Sequence, residues 1–223
     1  MSGQAQRTVV RHRYIRAGTD TGGKLWDALH YMEHRPLGRD ERHRDRQLFV
    51  AGAGRPSRQQ ARALLLEHAG RRVAYHRLIL SPGAPVADLQ RWTRLVMADL
   101  SRHLGQDLHW VAAAHRNTGH PHVHLLVAGT GERLIDDGRS PRVLLRPEEY
   151  AVLRESGDRH GRELAREDRE LEEATRDELD LLLAGLARAV VQELGDEGAQ
   201  GHKHLVEAHE RRGAPGRDAT RGR

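Results

Sequence analysis

The chain has 223 residues, with 37 basic residues against 32 acidic ones and a net charge of +5. It contains no cysteine, which excludes disulfides, thiolate metal sites and cysteine nucleophiles. The sequence has no signal-peptide pattern and no apolar run of about 18 residues, so we expect a cytoplasmic protein without membrane insertion. All basic residues except Lys24 and Lys203 are arginines. Arginine pairs with phosphate oxygens, so this composition indicates a nucleic-acid partner. A general coding bias toward arginine explains the composition equally well.

The first half of the chain is predicted to begin with one strand and two helices. Residues 8–16 alternate loosely between apolar and polar side chains, which predicts a strand, and residues 24–35 have apolar residues at helical spacing. Residues 36–45 are polar and predict a loop. Residues 57–68 predict a second helix, with Ser57 as its N-cap.

The next stretch is predicted to hold three strands and a helix. Residues 73–80 predict a strand, and residues 85–104 predict an amphipathic helix that ends at Gly105. Residues 108–115 and 122–128 predict two strands that a hairpin turn connects. The order strand, helix, helix, strand, helix, strand, strand indicates an α+β fold, in which helices cover an antiparallel-rich central sheet.

The last third of the chain is predicted to be helical and then mobile. Residues 147–153 predict a short helix, and residues 162–194 predict one or two long, strongly charged helices. We therefore expect a main folded domain over residues 1–160, a charged helical extension over 161–195 and a disordered tail over 196–223.

Four histidines lie close together around the predicted hairpin. His122 and His124 project from one face of their strand because side chains alternate along it. If the hairpin forms, His115 lies across from about His122, and three imidazoles converge. Such a set binds a divalent cation and leaves coordination positions open. We expect Mg²⁺ or Mn²⁺, although imidazoles also accept zinc or nickel. For His120, a hydrogen-bonding or phosphate-contacting role is as plausible as a metal-binding one.

Two of the segments that resemble a known family lie in and before the predicted hairpin. Residues 108–124 (LHWVAAAHRNTGHPHVH) are similar to the metal motif of the HUH endonucleases, and in particular of the mobilisation relaxases of the MobP type. Residues 75–83 (YHRLILSPG) are similar to another segment of these relaxases, in which Ser81 becomes a candidate phosphate contact or a support for the metal ligands. The resemblance extends from about Thr8 to Val127.

The resemblance implies a tyrosine nucleophile and a metal-dependent nick in one DNA strand. Residues 27–35 (DALHYMEHR) resemble the tyrosine segment of the family, which implies Tyr31 as the nucleophile, with Tyr14 as the second candidate. A tyrosine hydroxyl has a pKa of about 10, so it needs a metal ion that polarises the scissile phosphate. The turn lacks the carboxylate that some relatives have there, so a general base has to come from elsewhere.

The expected partner is single-stranded DNA at a transfer origin. The candidate DNA contacts are arginines near the predicted site: Arg13, Arg16, Arg35 and Arg116. The sequence has no phosphate-binding loop of a helicase, so we expect accessory DNA-binding, helicase and coupling proteins as partners.

Three other functions are compatible with the same residues. A rolling-circle replication initiator or a single-strand transposase shares the metal motif. A DNA-binding module that retains the fold but has no activity belongs to a different class. A simple metallohydrolase is disfavoured because no further acid–base constellation accompanies the histidines.

Overall fold

A computed structural model describes residues 7–34, 46–116, 121–133 and 141–212. Within these ranges the chain forms four strands and four helices. In chain order they are β1 (Val9–Arg16), α1 (Thr21–His34), α2 (Arg58–Glu67), β2 (Val73–Ser81), α3 (Leu89–Leu104), β3 (Gln106–His115), β4 (His122–Arg133) and α4 (Pro147–Arg212).

The four strands form one antiparallel sheet in the order β1-β2-β4-β3. The last two strands form the predicted hairpin, with His115 directly opposite His122. Phe49 adds a short antiparallel bridge to the outer edge of β3 through two hydrogen bonds with Ala112. The predicted α+β fold and the predicted order of its elements are therefore confirmed.

The sheet has helices on both faces. On one face, α3 and the first part of α4 pack against it, around the buried Trp92. On the other face, α1 and α2 pack mainly against β3 and β4, and Leu25, Leu29 and Leu126 are buried together there. Side chains that alternate along the strands therefore enter two separate apolar clusters. The second face, which carries α1, is the one that holds the candidate site.

Local side-chain hydrogen bonds set where the helices begin and end. Ser57 caps α2 as predicted, and Gln60 completes a capping box. The helix α3 begins at Leu89 rather than at residue 85, because the side chain of Asp88 accepts hydrogen bonds from the first free amides of the helix. It ends at Gly105, which has a left-handed φ of 64°.

The C-terminal part differs from the prediction of a short helix, one or two long helices and a disordered tail. One helix, α4, extends from Pro147 to Arg212, so residues 154–161 and 196–212 are helical as well. The early part of α4 is held by tertiary contacts that local sequence does not reveal, such as the hydrogen bond from the Trp92 indole to the Gly157 carbonyl (3.0 Å). The predicted loop at 36–45 and the last eleven residues lie outside the described residues.

The chain divides into two compact units, residues 1–169 and residues 170–223. The first holds the whole sheet and all the predicted site residues. In the second, the described side chains include exposed leucines such as Leu182 and Leu186. Within the described residues, no helix combines the length and the apolar character that crossing a membrane needs.

Candidate active site

Three histidines converge where β3 ends and β4 begins. His115 and His122 are directly opposite each other, and His124 lies two residues along β4 on the same face. The ring centroids are 5.4 Å apart for His115 and His122, 4.6 Å for His115 and His124, and 5.1 Å for His122 and His124. One nitrogen from each ring lies within 4.8 Å of the others. The structure thus brings the three predicted metal ligands together.

A hydrogen bond to α1 orients the ring of His115. Its Nε2 lies 2.8 Å from the main-chain oxygen of Met32, and both groups are buried. A carbonyl oxygen only accepts hydrogen bonds, so Nε2 carries the proton and donates. The neutral ring then has its lone pair on Nδ1, and this arrangement is typical of metal-binding histidines.

The donor set fits a divalent transition metal. The three rings are tilted by 50° to 66° relative to one another, so their in-plane lone pairs can meet at one point. Imidazole nitrogens suit zinc and nickel, whereas magnesium and manganese are more often bound by oxygen ligands, and manganese accepts nitrogen donors more readily than magnesium does. Three protein ligands also leave coordination positions for a substrate oxygen.

A second group of possible ligands has a less suitable geometry. His68, His109 and Glu132 also have ligand atoms within 4.8 Å of one another. However, the rings of His68 and His109 are stacked, with centroids 3.5 Å apart and planes only 13° from parallel. Their lone pairs therefore lie in nearly parallel planes and do not converge. Burial lowers the pKa of His109, and the nearby His68 lowers it further.

Tyr31 lies beside the histidine cluster. The buried face of α1 consists of Leu25, Ala28, Leu29 and Met32, and Tyr31 sits at the edge of that face. Its ring meets the ring of His124 edge-on, with centroids 5.7 Å apart. The residue is 42% exposed, so its side chain is accessible from solvent.

The other three tyrosines lie in different surroundings. Tyr14 pairs with His76 across β1 and β2, so it points to the opposite face of the sheet. Tyr75 is buried, and burial raises its pKa. Tyr150 is hydrogen-bonded to His12 at 2.7 Å, on that same opposite face. Of the four, only Tyr31 contacts a histidine of the cluster.

Ser81 lies next to the cluster, at the end of β2. Its hydroxyl donates a hydrogen bond of 2.7 Å to the main-chain oxygen of Pro121, directly before His122. This bond connects the end of β2 to the start of β4 and so helps to position His122, the first residue of β4. His120, one residue before Pro121, lies outside the described residues.

The predicted DNA-contacting arginines do not all share one surface. Arg13 lies on the face that carries the histidines, and Arg16 lies at the end of β1. Arg116 lies near the start of α3, where its guanidinium donates to the main-chain oxygen of Ala87. Arg35 lies outside the described residues.

Two arginines that the sequence analysis missed lie near the cluster. Arg11 and Arg77, together with Arg13, line a cleft of about 290 Å³ that reaches His124. An adjoining cleft of about 500 Å³ is lined by residues that include Tyr31, Arg77 and His124. The period of two puts Arg11 and Arg13 on one face of β1, but only the register between the strands puts them and Arg77 on the face of the histidines.

Comparisons with known proteins give few relatives. No protein-family model matches the sequence, and no curated protein matches it. A solved structure described as "Molecular Basis of Vancomycin Resistance Transfer in Staphylococcus aureus" is similar to this chain, with a TM-score of 0.36 and 10% identity. The alignment covers 67% of this chain and 87% of that chain.

Proposed function

We propose that this chain is a relaxase, which nicks one DNA strand at a plasmid transfer origin and keeps the cut end on a tyrosine. The observation that carries the proposal is the contact between Tyr31 and His124. A candidate nucleophile and a candidate metal ligand from distant parts of the sequence have their ring centroids 5.7 Å apart. A metal-dependent transesterification requires this proximity.

The proposed reaction exchanges one ester bond for another. The phenolic oxygen of Tyr31 attacks the phosphorus of a phosphodiester and forms a new phosphorus–oxygen bond. The bond to the 3′ oxygen breaks, and that oxygen takes up one proton while the phenol gives one up. The products are a 5′-phosphotyrosyl link and a free 3′-hydroxyl. Because the ester bond is conserved, the reverse reaction can reseal the strand.

The three histidines would hold the divalent ion that this reaction needs. Once bound at His115, His122 and His124, such an ion supplies positive charge that polarises the scissile phosphate. We propose Mn²⁺ or Mg²⁺, and the nitrogen donors favour Mn²⁺ of the two. The hydrogen bond between His115 and the carbonyl of Met32 connects this site to the helix that carries Tyr31.

The proposed substrate is a single strand of DNA that lies across the open part of the sheet. Arg13 faces this region, so phosphate contacts beside the site have a source in the chain itself. We further propose accessory DNA-binding, helicase and coupling proteins as partners, because the resemblance of residues 108–124 to the mobilisation relaxases implies them.

The test is the formation of a covalent adduct. The protein is incubated with 5′- and 3′-labelled single strands from plasmid transfer origins, with Mn²⁺ or Mg²⁺, and the products are separated in SDS. We expect a protein band that carries the DNA on the 3′ side of the nick, and no such band with EDTA. Adducts formed only on replication origins or transposon ends would assign a related reaction instead. Binding without cleavage on every substrate would support a non-catalytic DNA-binding module.

A further inference from the structure

Three arginines lie on β1 and β2, whereas α1 and α2 pack mainly against β3 and β4. Arg11 and Arg13 on β1 are exposed, and Arg77 on β2 is partly buried. The pairings of Arg11 with Ile79 and of Arg13 with Arg77 put all three on the face that carries the histidine cluster. Among the residues that the structure describes, no carboxylate forms an ion pair with any of the three.

Arg13 and Arg77 form a like-charged pair. They are directly opposite each other on neighbouring antiparallel strands, which brings their β-carbons to about 5 Å. Two positive charges in this position repel each other and destabilise the sheet. An anion between them removes the repulsion, and two guanidinium groups offer planar pairs of donors that match phosphate oxygens. The Arg13–Arg77 pair is therefore more stable with a phosphate bound between the two side chains than without one.

The arginines lead directly to the histidine cluster. Arg11, Ile79 and His124 are successive partners across β1, β2 and β4. Arg77 and His124 line both the cleft of about 290 Å³ that the three arginines share and the cleft of about 500 Å³ that reaches Tyr31. A chain of phosphates that follows these clefts passes from the arginines to the nucleophile.

We propose that Arg11, Arg13 and Arg77 bind two consecutive phosphodiesters of the cleaved strand next to the scissile phosphate, with Arg13 and Arg77 sharing one of them. The proposal rests on the proposed function for the identity of that strand. Its chemistry, a polyphosphate backbone on an arginine surface, rests on the arginines alone. The partly buried Ile79, which lies between Arg11 and His124 in the sheet, gives the unpaired bases an apolar surface.

The test separates binding from cleavage. A fluorescein-labelled, 20-nucleotide oligothymidine is titrated with the protein in EDTA, and the affinity is measured by anisotropy at several salt concentrations. The variants are Arg77→Gln, Arg13→Gln and Arg11→Gln. The matched controls are Arg154→Gln and Arg162→Gln, which remove exposed arginines from α4, the helix that packs on the opposite face.

We expect each of the three substitutions to weaken binding about tenfold at low salt. Each should also reduce the slope of log affinity against log salt by about 0.7. The double variant of Arg13 and Arg77 should lose less than the product of the two single losses, because the two side chains share one phosphate. Affinities and slopes equal to those of the α4 controls would overturn the proposal.

The melting temperature of the Arg13→Gln variant distinguishes a phosphate-binding role of the pair from a purely structural role. Removing one charge from the Arg13–Arg77 pair relieves repulsion, so Arg13→Gln should keep or raise the melting temperature at low salt. A fall of several degrees for Arg13→Gln, together with unchanged oligonucleotide binding, would assign the pair a structural role and reject the phosphate site. Because Arg13 is exposed, this variant stays informative even if Arg77→Gln fails to fold.

The outcome for the arginines is distinguishable from the outcome for the relaxase reaction. Arginine-dependent binding without any covalent adduct in Mn²⁺ would retain the phosphate site and reject the proposed nicking. If the adduct forms normally and none of the three arginine substitutions changes oligonucleotide affinity, the proposed nicking is retained and the phosphate site is rejected.

Discussion

The imidazole of His115 donates a hydrogen bond from Nε2 to the main-chain oxygen of Met32, 2.8 Å away. The two residues are 83 positions apart in the sequence, and both are buried. The bond fixes the tautomer of a candidate metal ligand and also fixes the turn of α1 next to Tyr31. One contact thus couples the position of the metal site to the position of the candidate nucleophile.

Replacement of His115 by alanine should damage both the metal site and the fold. The substitution removes one of three ligands, leaves a buried cavity and leaves the Met32 carbonyl without its donor. We expect a loss of at least 100-fold in Mn²⁺ affinity and a cost of about 2–4 kcal/mol in the free energy of unfolding. Isothermal titration and urea unfolding measure the two effects.

His122→Ala is the matched comparison, because His122 is a partly exposed member of the same cluster. It should lose metal affinity to a similar extent at a cost of less than about 1 kcal/mol of stability. Equal stability losses for the two variants, or unchanged Mn²⁺ affinity in either, would contradict this division of roles.

The histidine cluster could be predicted because it depends on local regularities. Alternation along a strand places His122 and His124 on one face, and a hairpin brings His115 across from them. The acceptor for His115 could not be predicted, since a main-chain carbonyl on a distant helix has no signature in the sequence. The arginines at positions 11 and 77 became relevant only once the strand order put β2 beside β4 and β1 on the other side of β2.

The features of the fold that depend on local sequence could also be predicted, and those that depend on tertiary contacts could not. The cap at Ser57 and the end of α3 at Gly105 follow from local backbone chemistry, so both were found. The continuity of α4 was missed, because tertiary contacts such as the bond between Trp92 and the Gly157 carbonyl support the helix where its own pattern is weak.

Gly129→Ala should be strongly destabilising. A β-carbon at this position would lie 1.9 Å from the carbonyl oxygen of Val73 and 2.7 Å from the amide nitrogen of Gly70. Both are backbone atoms, so the sheet itself would have to move. We expect a cost of more than about 3 kcal/mol in the free energy of unfolding, measured in urea.

Gly52→Ala is the control for this prediction, because a β-carbon there meets nothing within 4 Å. It should change the free energy of unfolding by less than about 0.5 kcal/mol. Similar stabilities for the two variants would mean that β2 and β4 are not held as closely as described.

The buried His76 should make the protein less stable in acid. Burial, and then the neighbouring His12, lower the pKa of His76 to about 4, against 6.5 for the free side chain. Protonation therefore favours the unfolded chain. The stabilisation is complete above about pH 6.5 and is lost as the pH falls toward 4, by on the order of 3 kcal/mol.

His76→Gln tests this origin of the acid sensitivity. The histidine donates from Nε2 to the carbonyl of Val143 and accepts from Nε2 of His12, and an amide side chain can also donate and accept. Urea unfolding between pH 7.5 and pH 4.5 should give a shallower dependence for the variant than for the wild type. Parallel curves would show that other groups cause the acid sensitivity.

Tyr31→Phe should abolish the covalent adduct and leave the rest of the protein intact. The change removes only the phenolic oxygen, while the ring that meets His124 edge-on remains. Because the residue is 42% exposed, we expect the free energy of unfolding to change by less than about 0.5 kcal/mol. Mn²⁺ affinity and oligonucleotide affinity should stay within about twofold of the wild type. Adduct formation should fall by at least about 1000-fold, since positioning cannot replace a missing nucleophile.

Tyr14→Phe is the control, because Tyr14 lies on the opposite face of the sheet and its loss should leave the adduct unchanged. Mass spectrometry of the digested wild-type adduct identifies the attached peptide directly. DNA on the peptide that contains Tyr14 or Tyr75 would keep the relaxase reaction and reject Tyr31 as its nucleophile, whereas cleavage without any attached peptide would indicate hydrolysis by water.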